Sequence, residues 1–161
     1  MIAIRPALAS DEDDLTRIDR ATWTHLVSPS PPPGPSWSYF ANNRVQPADV
    51  LVALVDGEVA GYVQVGRATP IPASDHVRMV SGIAVAPDHQ RRGVGRALLD
   101  AAAVEARKRG ARRLTLRVLG PNEGARRLYE AAGFVVEGTL RGEFVLDGDL
   151  VDDILMARSL S

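Results

Sequence analysis

Apolar residues along the chain recur with two periods, and each switch between them marks an element. Residues 2–5 are mainly apolar and form a run short enough for a strand. Ser10, followed by Asp11, Glu12, Asp13 and Asp14, reads as an N-cap with acids in the first turn, where the helix dipole favours negative charge. Leu15 and Ile18 then carry a helix to about Trp23. The stretch 28–36 holds Pro29, Pro31, Pro32, Pro33, Gly34 and Pro35, so it cannot be helix or inner strand. About 27 residues precede it, too few for a domain. A stiff surface loop is therefore expected rather than a linker, leading into a short helix near 37–43.

Apolar runs at 50–55 and 59–65 flank Asp56-Gly57, the strongest hairpin signal in the chain. The next strand is expected at 77–85, where Gly82 marks a bulge or a close backbone approach. From Gly93 onward, Leu98, Leu99, Ala102 and Ala106 recur at helical spacing up to about Arg109, with Gly110 as the stop. Glu105 and Arg109 form an i,i+4 pair on the solvent side of this helix. Leu114, Leu116 and Val118 alternate with Thr115 and Arg117, giving a half-buried strand. A helix over about 122–132 is ended by Gly133, and segments 134–145 and 150–157 make a hairpin around Asp147-Gly148. Strands alternating with helices give an α/β fold with a mixed sheet, and no internal repeat is present.

A chain of 161 residues is expected to hold one domain with a substantial core. Hydrophobic content of 45% and charged content of 24% are ordinary for a globular protein. The net charge of −1 supplies no bulk field for nucleic acid or an acidic membrane. No apolar run approaches bilayer length, and residues 1–5 lack the features of a signal peptide, so the cytoplasm is the expected compartment. The absence of cysteine excludes disulfides, metal–thiolate sites and a cysteine-borne covalent intermediate. No metal is expected. Lys108 is the sole lysine, and the arginine excess reads as a compositional bias.

The chemistry concentrates in Gln90-Arg91-Arg92-Gly93-Val94-Gly95, between a strand and a helix. Such a turn aims several backbone N–H groups at one point, and a helix N-terminus adds unpaired donors and partial positive charge. Gly93 and Gly95 remove Cβ atoms that would hold a phosphate away, and Arg91, Arg92 and Arg96 add charge. A pyrophosphate cradle is the reading; the bland alternative is a glycine-containing helix cap with solvated arginines. A P-loop would need Lys-Ser/Thr after the glycines, and a Rossmann turn would need a small residue where Leu98 stands.

The pattern Gln-x-x-Gly-x-Gly after Ile83-Ala84-Val85-Ala86-Pro87 resembles the acetyl-CoA loop of the GNAT acetyltransferase superfamily. The Leu128-Tyr129-Glu130-Ala131-Ala132-Gly133-Phe134 segment is similar to the superfamily's second landmark, and the likeness runs from about 50 to 158. It implies a single N-acetyltransferase domain over 1–161, with an acetyl-CoA-binding core at about 76–134. The implied fold is a mixed, mostly antiparallel twisted sheet of about seven strands, flanked by helices, with splayed central strands. By the same resemblance, Ile83 and Val85 pair through their backbones with the pantetheine amides, and the N–H of Ala84 or Val85 faces the thioester oxygen. Main-chain N–H groups of Arg91, Arg92, Gly93, Val94, Gly95 and Arg96 hold the pyrophosphate of acetyl-CoA.

Asn122 either contacts the pantetheine or caps its helix, and both readings stay open. Tyr129 is the expected general acid for the departing thiolate, since a phenol of ordinary pKa ~10 is protonated at neutral pH. The core alternative for Tyr129 is a packed ring with a satisfied hydroxyl. Bacterial acetyltransferases of ribosomal-protein N-termini carry Glu where this chain has Arg117, and a guanidinium cannot accept a proton. Water relays, His76 or Glu143 are the candidate routes for the amine proton. Arg117 either clamps a substrate carboxylate or simply faces solvent.

The tail, with Val136-Glu137-Gly138-Thr139-Leu140, Asp153 and Met156-Ala157-Arg158, is most similar to bacterial amino-acid and small-amine N-acetyltransferases. The resemblance therefore implies acetyl transfer to a primary amine of a small molecule, an amino acid among the candidates, by direct attack in a ternary complex. The alternatives are a protein or peptide N-terminus as acceptor, and a non-catalytic acyl-CoA-binding domain. A homodimer is the default assembly for so small an enzyme.

Overall fold

A computed structural model of the chain describes residues 1–41 and 44–161. Its strands are β1 (Ile2–Pro6), β2 (Val50–Val55), β3 (Glu58–Arg67), β4 (Val77–Val85), β5 (Arg113–Leu119), β6 (Val135–Leu146) and β7 (Asp149–Ser159). They form one sheet in the order β1-β2-β3-β4-β5-β7-β6. Every neighbouring pair is antiparallel except β4–β5. The helices are α1 (Glu12–Thr22), α2 (Val94–Lys108) and α3 (Glu123–Ala131).

Both hairpins form as expected, for a local reason. Asp56 and Gly57 adopt φ of 52° and 82°, and Asp147 and Gly148 adopt the same pair of values. Two successive positive φ angles give the turn whose twist matches that of the strands it joins. The first and last thirds of the sheet are thus set by short-range chemistry.

Its middle is not closed. The parallel pairing of β4 with β5 covers only Val77 with Arg113, Arg78 with Leu114 and Met79 with Thr115. On the other edge of β4 the register with β3 steps from Val65–Val80 to Gln64–Gly82, which leaves Ser81 as an extra residue. Such a bulge bends the strand that carries it. Past the bulge β4 stays with β3, while β5 stays with β7 along its whole length. The splayed central strands expected from the sequence are present, and the expected bulge lies at Ser81 and Gly82.

Each face of the sheet has its own core. On one face, α2 contributes Val94, Leu98, Leu99, Ala102 and Ala106, which pack with Val63, Leu114, Leu116, Tyr129 and Phe134. On the other, Leu15 and Ile18 of α1 pack with Tyr39, Val50, Val52 and Tyr62. Burying each large aliphatic side chain contributes about 1.5–3 kcal/mol, so α2 and α1 are held mainly by these stripes.

Two local expectations change. Glu12 begins α1 after a short turn, and the buried carboxylate of Asp11, not Ser10, accepts the Leu8 N–H at 2.7 Å. Arg5 grips the same carboxylate at 2.8 and 3.0 Å, so a long-range partner selects the residue used. The expected helix near 37–43 is replaced by turns over its described part; Asn42 and Asn43 lie outside the described residues. The N–H of Tyr39 goes to the Thr16 hydroxyl at 3.0 Å and that of Phe40 to Glu12 at 2.8 Å. Those two bonds tie the segment to α1.

Candidate active site

The open edge of β4 supplies the first component. Ala86 donates to the Ala60 carbonyl at 2.7 Å, and donors on a strand point alternately to its two sides. Ala84, paired with Tyr62, therefore faces β3 as Ala86 does. The main-chain groups of Ile83 and Val85 face the gap toward β5, where no strand meets them. Of the two donors expected for a thioester oxygen, this geometry favours Val85 over Ala84. Side chains alternate as well. Ile83 and Val85 pack on the α2 face and Ala84 on the α1 face.

The turn at 91–96 is the second component. Arg91 takes φ of 61° and Gly93 of 83°, so left-handed residues fold the main chain into a concave nest of N–H groups. No side chain caps α2, and Gly93 serves as its N-cap residue. The first helical bond is Ala97 N–H to the Gly93 carbonyl, at 3.0 Å, which leaves the earlier donors of the turn unengaged. Gln90, the first letter of the motif, donates from Nε2 to the Val85 carbonyl at 3.1 Å. That bond braces the nest against the end of β4, a role the sequence reading did not assign.

The glycines divide their work. An added Cβ at Gly93 would meet nothing within 4 Å, so its positive φ is the reason for glycine there. At Gly95 the Cβ would lie 3.0 Å from Cδ2 of Leu128, so this glycine lets α3 approach α2. Gly95 was expected to make room for phosphate; its tighter constraint is helix packing. Arg91 and Arg92 are exposed. The Arg96 guanidinium turns along its helix to Asp100 at 3.3 Å, so only its main chain faces the nest.

Tyr129 completes the α2 side. Its ring is buried in the cluster that contains Val94 and Leu98 and meets the edge of Phe134 at 6.2 Å between centroids. Burial pushes its hydroxyl up to a pKa of about 12. Among the described residues that hydroxyl has no hydrogen-bond partner, yet it is not sealed from solvent, so it opens onto accessible space. Asn122 accepts from the Ala125 N–H at 3.2 Å, which makes it the α3 N-cap. Among the described residues its amide nitrogen carries no hydrogen bond that would compete with a ligand.

Arg117 stands on the α1 face, since Leu116 and Val118 point into the α2-side core. Its Nε donates to Oδ2 of Asp153 at 2.6 Å, and Nη2 contacts the same oxygen. Asp153 is 3% exposed, so the expected solvent-facing or substrate-clamping arginine is first of all the partner of a buried carboxylate. His76 and Glu143 are exposed.

A group missed in the sequence lies across β4 from Tyr129. The Tyr62 hydroxyl donates to Asp19 on α1, the Tyr39 hydroxyl donates to Gln64 at 2.9 Å, and the two rings meet at 5.0 Å. Burial raises the Asp19 carboxyl above its ordinary range, and the Tyr62 hydrogen bond opposes that shift. The signal was available: Asp19 follows Leu15 and Ile18 at i+4 and i+1, on the inward stripe of α1. A depression of about 650 Å³ lined by Asp13, Arg17 and Trp37 shares no residue with β4, the turn or α3. Among the described residues no cluster of acidic or histidine side chains has metal-binding geometry, and no helix is long and apolar enough to cross a membrane.

A slot between splayed strands beside a main-chain anion nest defines a class of acyl-CoA-dependent transferases, and comparison with known proteins agrees. The model of the acetyltransferase (GNAT) family matches residues 13–134, and the chain belongs to that family. It is 34% identical over 137 residues to the mycothiol acetyltransferase of Propionibacterium freudenreichii subsp. shermanii, covering 80% of this chain and 41% of that protein. Over 80 residues it is 45% identical to the ribosomal protein bS18-alanine N-acetyltransferase of Escherichia coli K12, covering 49% and 53% respectively. The chain thus spans about half the length of the curated relatives it matches. The crystal structure of smu.2055 from Streptococcus mutans UA159 superposes with a TM-score of 0.88 at 28% identity, over 99% of both chains.

Proposed function

We propose that this protein transfers an acetyl group from acetyl-CoA directly to a primary amine of a small molecule, within a ternary complex. One observation carries the reading above all. The unengaged N–H groups of the 91–96 turn are braced by Gln90 to the same strand whose Ile83 and Val85 main chain faces the gap between β4 and β5. A diphosphate and an extended amide-bearing arm require those two surfaces in that order. Charge-assisted bonds from such donors contribute about 1.5–3 kcal/mol each.

Acetyl-CoA supplies an activated acyl carbon, and the protein's residues supply the rest. Val85 N–H is fixed toward the slot, where it stabilises negative charge growing on the carbonyl oxygen; losing one such donor costs about 2.7–4 kcal/mol of transition-state stabilisation. Tyr129 keeps its proton at neutral pH because burial pushes its pKa to about 12, and it hands that proton to the leaving sulfur. Asn122 caps α3 and so positions Tyr129 two turns further along. Arg117, committed to Asp153, takes no proton and leaves only Nη1 for a substrate carboxylate, as in an amino acid.

Release of free CoA across amino acids, polyamines, aminoglycosides and short peptides tests the proposal. Turnover confined to peptides would move the acceptor to a protein N-terminus. Thermal denaturation gives an independent check: ligand at about 100 Kd adds ~2.7 kcal/mol of stability. That corresponds to a Tm rise of roughly 5–10 °C at this chain length. No shift with acetyl-CoA would exclude the nest as its site.

A further inference from the structure

We propose that Asp19, held by Tyr62 beside an aromatic wall, binds the acceptor's ammonium group and takes its proton; this rests on the acetyl-transfer reading above. Asp11 is matched by Arg5 and Asp153 by Arg117. Asp19 turns inward too, yet its one protein partner is a phenol, and no ion pair to it is found among the described residues. A half-buried carboxylate without a cation is unfavourable by itself and favourable once a cation arrives. The surroundings suit an ammonium group. Tyr39 and Tyr62 meet edge to face at 5.0 Å, and Tyr39 packs with Phe40 at 5.1 Å and Trp37 at 6.1 Å, a set of rings that attract cations through their faces.

Tyr62 pairs with Ala84 across the β3–β4 ladder, and its ring comes within 3.5 Å of where a Cβ on Gly82 would stand. The Asp19–Tyr62 pair therefore covers residues 82–84 from the α1 face, while Tyr129 packs on the α2 face. The splay opens the sheet between them. An amine at Asp19 reaches the slot from the side opposite the acid that serves the leaving group. Protons and electrons balance on this route. The ammonium gives one proton to Asp19 and attacks the acyl carbon as free amine. The C–N bond forms, the C–S bond breaks, and the electron pair leaves with sulfur, which takes the Tyr129 proton. Asp19 passes the first proton to solvent and is then free to take the second proton from nitrogen; that second proton, relayed through solvent, restores Tyr129.

Asp19→Asn separates this role from a structural one, because Asn still accepts the Tyr62 hydrogen bond. Relative to wild type, kcat/KM for the best amine of the panel should fall at least ~10²-fold, the lower range for loss of a general base. The Kd for acetyl-CoA should stay within about threefold, near the limit of ordinary additivity for separate sites. Stability moves the other way. A raised folded-state pKa contributes stability fully present below the unfolded value of ~3.9 and lost as pH rises through the folded value. Asn imitates the protonated form, so its Tm at pH 7 should equal or exceed that of wild type. Tyr62→Phe is the second variant: without the hydrogen bond that lowers the Asp19 pKa, the acid limb of kcat should move to higher pH. The titratable groups facing Asp19 are Tyr62 from β3 and Tyr39 from the loop, both with pKa values raised by burial; β4 presents only Gly82 and Ala84 there. Unchanged turnover in Asp19→Asn, or an unmoved limb in Tyr62→Phe, overturns the assignment and leaves acetyl transfer standing. Failure of wild type to bind acetyl-CoA sinks the transfer reading itself, and this assignment with it.

Discussion

Gly93→Ala offers a direct test of whether the 91–96 turn grips its ligand through the main chain. Gly93 holds φ of 83° with no atom within 4 Å of an added Cβ, so the substitution introduces no clash with the rest of the protein. The cost is conformational: an L-residue in the left-handed region is less favourable by roughly 1–2 kcal/mol. If the turn keeps its shape, the variant should lose ~2–8 °C in Tm at this chain length and bind CoA nearly as before. If the turn relieves the strain by flipping, two or more N–H groups leave the nest. Two lost charge-assisted bonds at ~1.5–3 kcal/mol each weaken CoA by roughly 10²–10⁴-fold. Because the nest is exposed and braced at one end by Gln90, the flipped outcome is the expected one. Isothermal titration with CoA, alongside thermal denaturation, reads both quantities. Arg92→Ala is the control, where an exposed guanidinium should matter by only ~0–1 kcal/mol. Loss of binding in Arg92→Ala with tight binding retained in Gly93→Ala would refute the main-chain argument and assign the grip to side-chain charge.

Other expectations follow from single contacts. Tyr129→Phe should lower kcat by ~10²–10⁴-fold with CoA affinity kept, and the wild-type rate should show no alkaline limb from this residue below about pH 10, given its pKa of about 12. Phe134→Ala removes one of the largest fully buried side chains and should destabilise by ~3–5 kcal/mol in urea denaturation; a loss under ~1 kcal/mol would mean the site collapses around the missing ring. Arg5→Ala should widen the Tm deficit at neutral pH and close it in acid. The Arg5 hydrogen bond, with help from Leu8 N–H, holds the Asp11 carboxyl below its usual range. That stability is present above the unfolded pKa of ~3.9 and lost as pH falls through the lower folded value. A deficit independent of pH between 6 and 3 would contradict the ion pair's role; it is read by thermal scans at stepped pH (roughly half-unit steps suffice for a single titration).

Features set within a few residues could be read from the chain. Asp56-Gly57, Asp147-Gly148, Gly110 and Gly133 each adopt the positive φ that their local context implied. The 91–96 turn belongs with them, since its donors are defined by a helix start and two left-handed residues. What escaped notice depends on partners far away in sequence. Gly95 answers to Leu128, Asp11 displaces Ser10 because Arg5 reaches it, and Arg117 is claimed by Asp153 from another strand. The segment at 37–41 forms turns tied to α1 through Thr16 and Glu12. Asp19 is the instructive case. Its place on the apolar stripe of α1 was visible, but its phenol partner on β3 was not.

The three-residue ladder between β4 and β5 carries a liability as well as a use. Strand edges left bare inside a sheet invite invasion by any extended segment, the same hazard that outer edges present to aggregation. Here α1 and α2 pack on opposite faces of β4, so the bare edge lies between the two helix layers. A segment that pairs with it must present amides at strand spacing. Occupancy would complete the hydrogen bonding of the sheet, and amide exchange at Ile83 and Val85 should slow most when it does.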